Sequence, residues 1–524
     1  MEFSRDVKDL SVLLINPPVL LPKENVGSDV SQPLGLAYVA ASVRQAGFPV
    51  TILDAAAEGW EHIGSFDERR DYNGLDFEQI AAEIKKRQPR VVGITANFTV
   101  QKDSAFRVAE KVKEVSKDIW VVIGGSHVTI RPQECALNQN IDFAVIGEGE
   151  ITTVELLNKL SSGAQGEEFK QIRGLAFKES GQAYVTDSRP HNLNLDSLPF
   201  PARDLLPMHI YFEASKSKRA NRDMDKPWAT VVTSRGCPFN CVFCSIHLTM
   251  GRHWRARSPE NVAEELKHLA EVYGVKQLDF EDDNISCDKR RMGEICDLII
   301  KNRLRFEWYT PNGVRADTLD ENLLRKMKAS GCRELWFAPE SGSQRVVNEI
   351  IGKRIDLKVI ERMVELCRKV GISSNCFFVI GFPGETKEEI EESIAFAQKL
   401  GRLGADNFMF SIATPLYGTR LYEQAKEAGT LNEEDDESLM YGTPHLKGLA
   451  LSSEELVAIR ARALSENRKL FVINSINKLF YYLVYCHNPI LAFEHFRNML
   501  RIGLIFFRRQ LARLTKRLKI TGNE

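Results

Sequence analysis

Three of the chain's ten cysteines, Cys237, Cys241 and Cys244, fall within eight positions of the stretch TSRGCPFNCVFCSIH. Pro238 and Asn240 between them favour a loop over a packed core element, so three unrelated core thiols do not account for the clustering. A structural zinc site wants four ligands, usually as two close pairs. Cys241 and Cys244 supply one pair, but there is no second CxxC, and His247 or a distant cysteine would have to complete the set. A four-iron cluster normally takes four thiolates. Held by three, it keeps one iron open to an outside ligand. Such an iron can chelate the amino and carboxylate groups of S-adenosylmethionine and place the sulfonium beside the cluster. One electron then cleaves a sulfur–carbon bond and gives a 5′-deoxyadenosyl radical that takes hydrogen from unactivated carbon, while the protein orients and shields the cofactors.

The elements that must position these thiols form a βα series. WATVVTSRG opens it, and KQLDFED, FEWYTPNG, ELWFAPESG, SNCFFVIGFPGE and DNFMFSIATP continue it with helices between. Six strands in this alternation suffice for a parallel barrel or partial barrel. Motif and position together resemble the radical S-adenosylmethionine superfamily over roughly residues 226–430. The resemblance implies a partial (β/α)6 barrel carrying a [4Fe-4S] cluster on Cys237, Cys241 and Cys244. It places Phe243 against the adenine. It makes Glu281, Asp282 and Asp283 of DFEDDN candidates for the methionyl amine, in place of the usual Gly-Gly-Glu. Asn312 and Arg315 of TPNGVRAD would meet the ribose or the carboxylate, and Glu340 and Ser341 of PESGS match a fourth-strand polar cluster. Gly381 in VIGFPGET would let backbone approach the adenosine closely. TPLYGTRLY, 414–422, resembles the sixth-strand ending. The blander readings are a solvated loop for the carboxylates and a tight βα corner for the glycine turn.

The first 150 residues also alternate strand and helix, from SVLLINPP through PVTILDA, VVGITAN and WVVIGG to FAVIGEGE, which predicts a doubly wound parallel sheet. Ligands of such sheets bind at the carboxyl ends of the strands. The phosphate fingerprint GxGxxG is absent after the first strand, which weakens a generic nucleotide site. A domain of this kind before such a barrel resembles a cobalamin-binding domain. The resemblance puts Thr95 near the nucleotide tail, and Gly124 and Gly125 where the tail passes close to backbone. It also takes in Gly147 and Glu148 of the GEGE run, with Ser126 or His127 facing the corrin. The DxHxxG histidine that commonly binds cobalt has no counterpart, because the first histidine of the chain is His62. Methylthiotransferases share the barrel but need three more N-terminal cysteines, and only Cys135 precedes Cys237.

Composition sets the frame for both domains. A content of 43% hydrophobic and 27% charged residues is that of a soluble globular protein, and 524 residues imply several domains. The expected division is 1–155 cobalamin-binding-like, 156–225 linker, 226–430 barrel and 431–524 a helical C-terminal region. A net charge of −1 offers no global field for nucleic acid. The start, MEFSRDVKDL, does not read as a secretory signal, so a reducing, cytoplasmic setting is expected. Asn488-Pro489 reads as a helix start, and residues 495–520 hold eight Lys/Arg and no Asp/Glu among Phe, Leu and Ile. That tail is expected either to lie on an anionic membrane or to cap the barrel mouth.

The leading expectation is methylation of a hydrophobic small molecule (a lipid, isoprenoid or tetrapyrrole) by a cobalamin-dependent radical enzyme fed by an external flavodoxin- or ferredoxin-type electron donor. The group it resembles also includes the anaerobic magnesium-protoporphyrin ester cyclase. Radical oxidation, cyclisation or carbon–carbon bond formation is the alternative outcome. A zinc-stabilised, nucleotide-like binding protein is the alternative of another class. No residue beyond the cofactor sets is singled out as catalytic.

Overall fold

The computed structural model describes residues 10–23, 30–218, 226–432 and 444–480, together with Phe493, Phe496, Arg497 and Leu500. The apolar runs near the start become five parallel strands, whose spatial order is Val50–Asp54, Val12–Asn16, Val91–Thr95, Trp120–Gly124 and Phe143–Val145. In the strand Val12–Asn16, Val12 and Leu14 enter one core cluster while Leu13 and Ile15 enter another on the opposite face. A strand apolar on both faces must be covered on both faces, so helices flank this sheet on either side. The chain order reverses between Val12–Asn16 and Val91–Thr95, and that switch point opens a crevice at the strands' carboxyl ends.

The sheet extends further than the sequence pattern implies. The segment expected to begin a linker at 156 completes the helix Gly149–Ser161 and then adds two antiparallel strands, Leu175–Glu179 and Gln182–Val185. Their turn uses left-handed backbone at Ser180 and Gly181. Gln182–Val185 is mostly exposed and Leu175–Glu179 ends in charged residues, so the pair lacks the continuous apolar run that marks the buried strands.

The second βα series forms a six-stranded, wholly parallel sheet whose strands lie in chain order: Trp228–Val231, Gln277–Phe280, Glu307–Val314, Cys332–Glu340, Ser373–Ile380 and Asn407–Ile412. Alternate residues, such as Leu335 and Phe337, Cys376 and Phe378, and Phe408 and Phe410, pack outward in one large core with the surrounding helices. Between them Trp336, Phe377 and Met409 face the concave side. Local signals set the helix ends. Thr386 and Glu389 form a capping box for Lys387–Leu403, and Gly371, at φ 84°, closes Leu357–Val370. The long helix Ser453–Phe480 packs on the last barrel strand through Leu456, Ile459 and Ala463. Among the described residues no helix is long and apolar enough to cross a membrane. The Asn488-Pro489 helix start and most of the basic tail lie outside the described residues.

Buried polar contacts tie the two sheets together. Glu265 sits fully buried between Arg203 and Arg257, Tyr211 donates its hydroxyl to Asp54 at 2.5 Å, and the Gln32 amide donates to the Trp228 carbonyl at 3.0 Å. The Arg203–Glu265, Tyr211–Asp54 and Gln32–Trp228 bonds join segments far apart in the chain and hold the two units together.

Candidate functional site

The three cysteines lie in a loop closed at its base by a two-stranded antiparallel ladder, Ser234–Arg235 against Arg255–Ala256. Gly236, at φ 86°, begins the loop, and a Cβ there would come within 2.6 Å of the His253 carbonyl. Only glycine tolerates both conditions. Backbone bonds from Val242 to the Ile351 carbonyl and from Leu421 to the Val242 carbonyl pin the loop to the barrel. The thiols are half-buried, and burial pushes them up, Cys244 to about 12. The Phe239 and Ile246 amides donate toward Cys237 and Cys244, and the cations Arg315 and Lys353 stand near Cys237 and Cys241. Amide donors and nearby cations favour thiolate sulfur, so the donor set fits an iron–sulfur cluster. Among the described residues no three His, Cys, Asp or Glu side chains converge on a single ion.

Around the loop the strand ends bring some expected residues together and turn others away. Phe243 packs on Phe382 of the fifth-strand turn, ring centroids 5.8 Å apart. In that turn Gly381, at φ 84°, gives its amide to Glu385 at 2.6 Å. Glu281 and Asp283 line the open cleft. Burial pushes Asp283 up to about 6, although it accepts the Gly236 amide. Asp282 points the other way: it is buried and accepts from the Thr233 amide and from the Thr233 and Ser234 hydroxyls, so it braces the strand end instead of facing the cleft. Asn312 is exposed and donates to the Glu281 carbonyl. Arg315 is locked by Asp317 at 2.7 Å and by the Lys353 carbonyl, with its guanidinium 3.6 Å over the Phe239 ring, so it braces the loop tip. Glu340 sits in left-handed backbone, φ 68°, and pairs with Lys353 at 2.7 Å, both buried. A non-glycine residue held there carries strain of about 1–3 kcal/mol, which the packing around the site must offset. Ser341 is fully buried, bonding to Ser393 and the Ser343 amide, and belongs to the helix packing behind the strand.

The first domain's residues gather on the same cavity. A cleft with about 1350 Å3 of atom-free space, partly open to solvent, runs from the strand face at Leu14, Gly93 and Val122 to Ser234, Arg235 and Asp283 beside the cysteine loop. Thr95, Gly124, Gly125, Ser126, Gly147 and Glu148 all line it. Gly125, at φ 120°, would drive a Cβ to 2.6 Å from the Ala96 carbonyl. The apolar floor under backbone-exposing glycines suits a large, partly flat ligand with a long tail, so the residues present fit cobalamin. His127 does not line this cleft. Its ring is buried edge-on to Phe106, with Nδ1 3.3 Å from the Thr99 hydroxyl, and burial pulls its pKa down.

Glu148 has a second engagement that its place in the GEGE run did not reveal. It accepts from Arg235 at 3.0 Å and from Arg255 at 2.9 Å, while Glu150 accepts from Arg235 at 2.6 Å. These guanidiniums and His191 pull its carboxyl down to about 2 against the rise that burial alone would cause. Arg235 and Arg255 are the paired ends of the cysteine loop. Glu148 thus latches the loop to the first domain. Arg235, Arg255, Glu150 and Lys353 were missed in sequence. The arginine just before the first cysteine and the acid pair at 148 and 150 were visible, but nothing local linked them.

Residues 231–397 match the radical SAM superfamily, and residues 24–157 match the B12 binding domain. The chain is 39% identical over 423 residues to an uncharacterized methyltransferase of Pyrococcus horikoshii, covering 80% of this chain and 84% of that one. It is 29% identical to the cytidylyl-2-hydroxyethylphosphonate methyltransferase of Streptomyces wedmorensis, covering 84% and 85%. Among solved structures it shares a fold, at TM-score 0.68 and 16% identity, with the cobalamin-dependent S-adenosylmethionine radical enzyme OxsB, whose structure holds aqua-cobalamin and S-adenosylmethionine. That likeness covers 95% of this chain and 72% of that one.

Proposed function

The chain belongs to the cobalamin-dependent radical S-adenosylmethionine methyltransferases, and on that premise we propose that it methylates an unactivated carbon of a hydrophobic substrate held between its two cofactor sites. One observation carries this reading: a single cleft is lined both by the strand ends of the first sheet and by the base of the cysteine loop. When bound, the cluster with S-adenosylmethionine supplies hydrogen abstraction and cobalamin supplies the methyl group. The chain itself holds, orients and dries the site. Cys237, Cys241 and Cys244 hold the cluster, and Phe243, Gly381, Glu281, Asp283, Asn312 and Glu340 shape the S-adenosylmethionine side. Thr95, Gly124, Gly125, Ser126 and Gly147 shape the cobalamin side. The functional units are the first sheet with its helices, extended through Val185, the barrel 226–430 and the C-terminal region 431–524, and the reducing electron comes from an external flavodoxin- or ferredoxin-type protein.

The substrate class rests on the C-terminal region. Phe493, Phe496 and Leu500 are exposed in helical conformation at i, i+3 and i+7, with Arg497 four residues after Phe493. An apolar stripe flanked by basic residues suits interfacial binding, at about 1 kcal/mol per basic residue near an anionic surface. A substrate that resides in lipid calls for such attachment. A second reading, a polar phosphorylated substrate, follows from the phosphonate-methylating relative.

The test is anaerobic purification, iron, sulfide and cobalamin analysis, then incubation with methyl-labelled S-adenosylmethionine and separate lipid and aqueous extracts. Label in a lipid product supports the reading. Label confined to a polar product supports the second one, and S-adenosylmethionine cleavage without label transfer supports oxidation, cyclisation or carbon–carbon bond formation. Cys241→Ala should lose nearly all cluster iron.

A further inference from the structure

The cysteine loop has two sides. Its inner side faces the cleft, where Arg235 and Arg255 are neutralised by Glu148 and Glu150. Its outer side faces solvent through Pro238 and Asn240 and is ringed by cations to which no described carboxylate is paired. Arg252 donates to the Phe239 carbonyl at 3.3 Å. A methyl placed on Gly352 would stand 3.3 Å from the Asn240 carbonyl and 3.8 Å from the Arg420 guanidinium, so these groups share one patch. Arg354 follows two residues later, its carbonyl bonded to Arg315 at 3.4 Å. His247 feels both Arg252 and Arg420. Arg252, Arg354 and Arg420 are all exposed, and among the described residues none forms an ion pair. The acids on the same elements, Glu349, Glu423 and Glu427, pair with none of them. In a chain of net charge −1, three arginines around one loop tip, with no ion-pair partner among the described residues, are a local excess.

We propose that this outer face of the cysteine loop is the docking surface for an acidic one-electron carrier protein. The inference rests on the cluster reading above. Electron transfer between proteins falls steeply with distance, so a carrier must approach the cluster closely. The inner approach leads through the cofactor cleft between the two sheets, and the loop tip is the approach that meets solvent directly. An acidic surface meeting three exposed arginines gains steering and orientation more than raw affinity. In the step itself one electron leaves the carrier's flavin or iron–sulfur centre and the cluster gains it, and no atom crosses.

The test uses the cluster-loaded, full-length enzyme and, as probe, a recombinant flavodoxin reduced to its hydroquinone. The iron content of the wild type, measured first, tests the cluster reading separately. Cluster reduction is followed by stopped-flow absorbance at low and high salt, with dithionite as a small reductant that needs no docking. Reduction of the wild type by flavodoxin should slow about tenfold as salt rises past the point where the screening length drops below about 8 Å. The R252E/R420E variant should be about tenfold slower at low salt, insensitive to salt, and unchanged with dithionite. R252K/R420K should keep most of the wild-type rate. Wild-type flavodoxin kinetics in the charge-reversed variant would overturn the proposal. Equal slowing with dithionite would also overturn it, because the arginines would then serve the cluster itself. So would a wild-type rate with no salt dependence, which would leave the patch to some other polyanion.

Discussion

Glu148→Gln removes one charge from the latch between the cysteine loop and the first domain while keeping the side chain's shape. Arg255 then loses its carboxylate partner and keeps only the carbonyls of Asn192 and Met250, while Arg235 keeps Glu150. The fall of the Glu148 carboxyl from 4.5 to about 2 sets the scale, about 3 kcal/mol at about 1.4 kcal/mol per pH unit. That agrees with the cost of breaking a buried pair, about 3–5 kcal/mol. Because the folded value is depressed, this stabilisation is fully present above 4.5 and drains away as pH falls toward 2. The gap between wild type and variant should therefore be about 3 kcal/mol at neutral pH and shrink to about 2 kcal/mol one pH unit below the carboxyl's ordinary value. Urea unfolding of the apoprotein, followed by tryptophan fluorescence and by circular dichroism, measures it, with both probes needed because two domains unfold. A gap below about 1 kcal/mol at neutral pH, or one that widens on acidification, would refute the latch.

Three further outcomes follow from particular contacts. Gly125→Ala places a Cβ 2.6 Å from the Ala96 carbonyl in left-handed backbone. It should weaken cobalamin binding at least tenfold, read by spectral titration, at a stability cost of about 1–3 kcal/mol. Glu385 is pushed up to about 7, mainly by burial, against the amides of Phe382 and Gly381. Its favourable contribution is complete below 4.5 and is lost as pH rises through about 7, so wild-type thermal stability should decline across that range and Glu385→Gln should flatten the decline. Deleting residues 481–524 should abolish low-salt binding to anionic vesicles while leaving the iron and cobalamin content unchanged, and equal vesicle binding by both forms would assign the tail to capping the barrel.

The three cysteines, the barrel around them, the doubly wound first sheet and the need for two cofactors could all be read from the chain. The reason is that their information is local. Ligand spacing lies within eight residues, each strand carries its own apolar pattern, and glycines mark the turns where backbone must come close. Tertiary structure decided which side of each turn a residue faces and what opposes it. Asp282 and Asp283 are neighbours in sequence, yet one braces the strand end and the other lines the cleft. Ser341 lies beside Glu340 but just past the strand end, where the left-handed backbone of Glu340 turns the chain and sends Ser341 into the helix layer behind it, and only the assembled barrel says which side is wet. The Glu148 latch joins residues 87 and 107 positions apart. No window of sequence holds both ends of such a bond, and it exists only because the two sheets are docked with their carboxyl ends around one cleft.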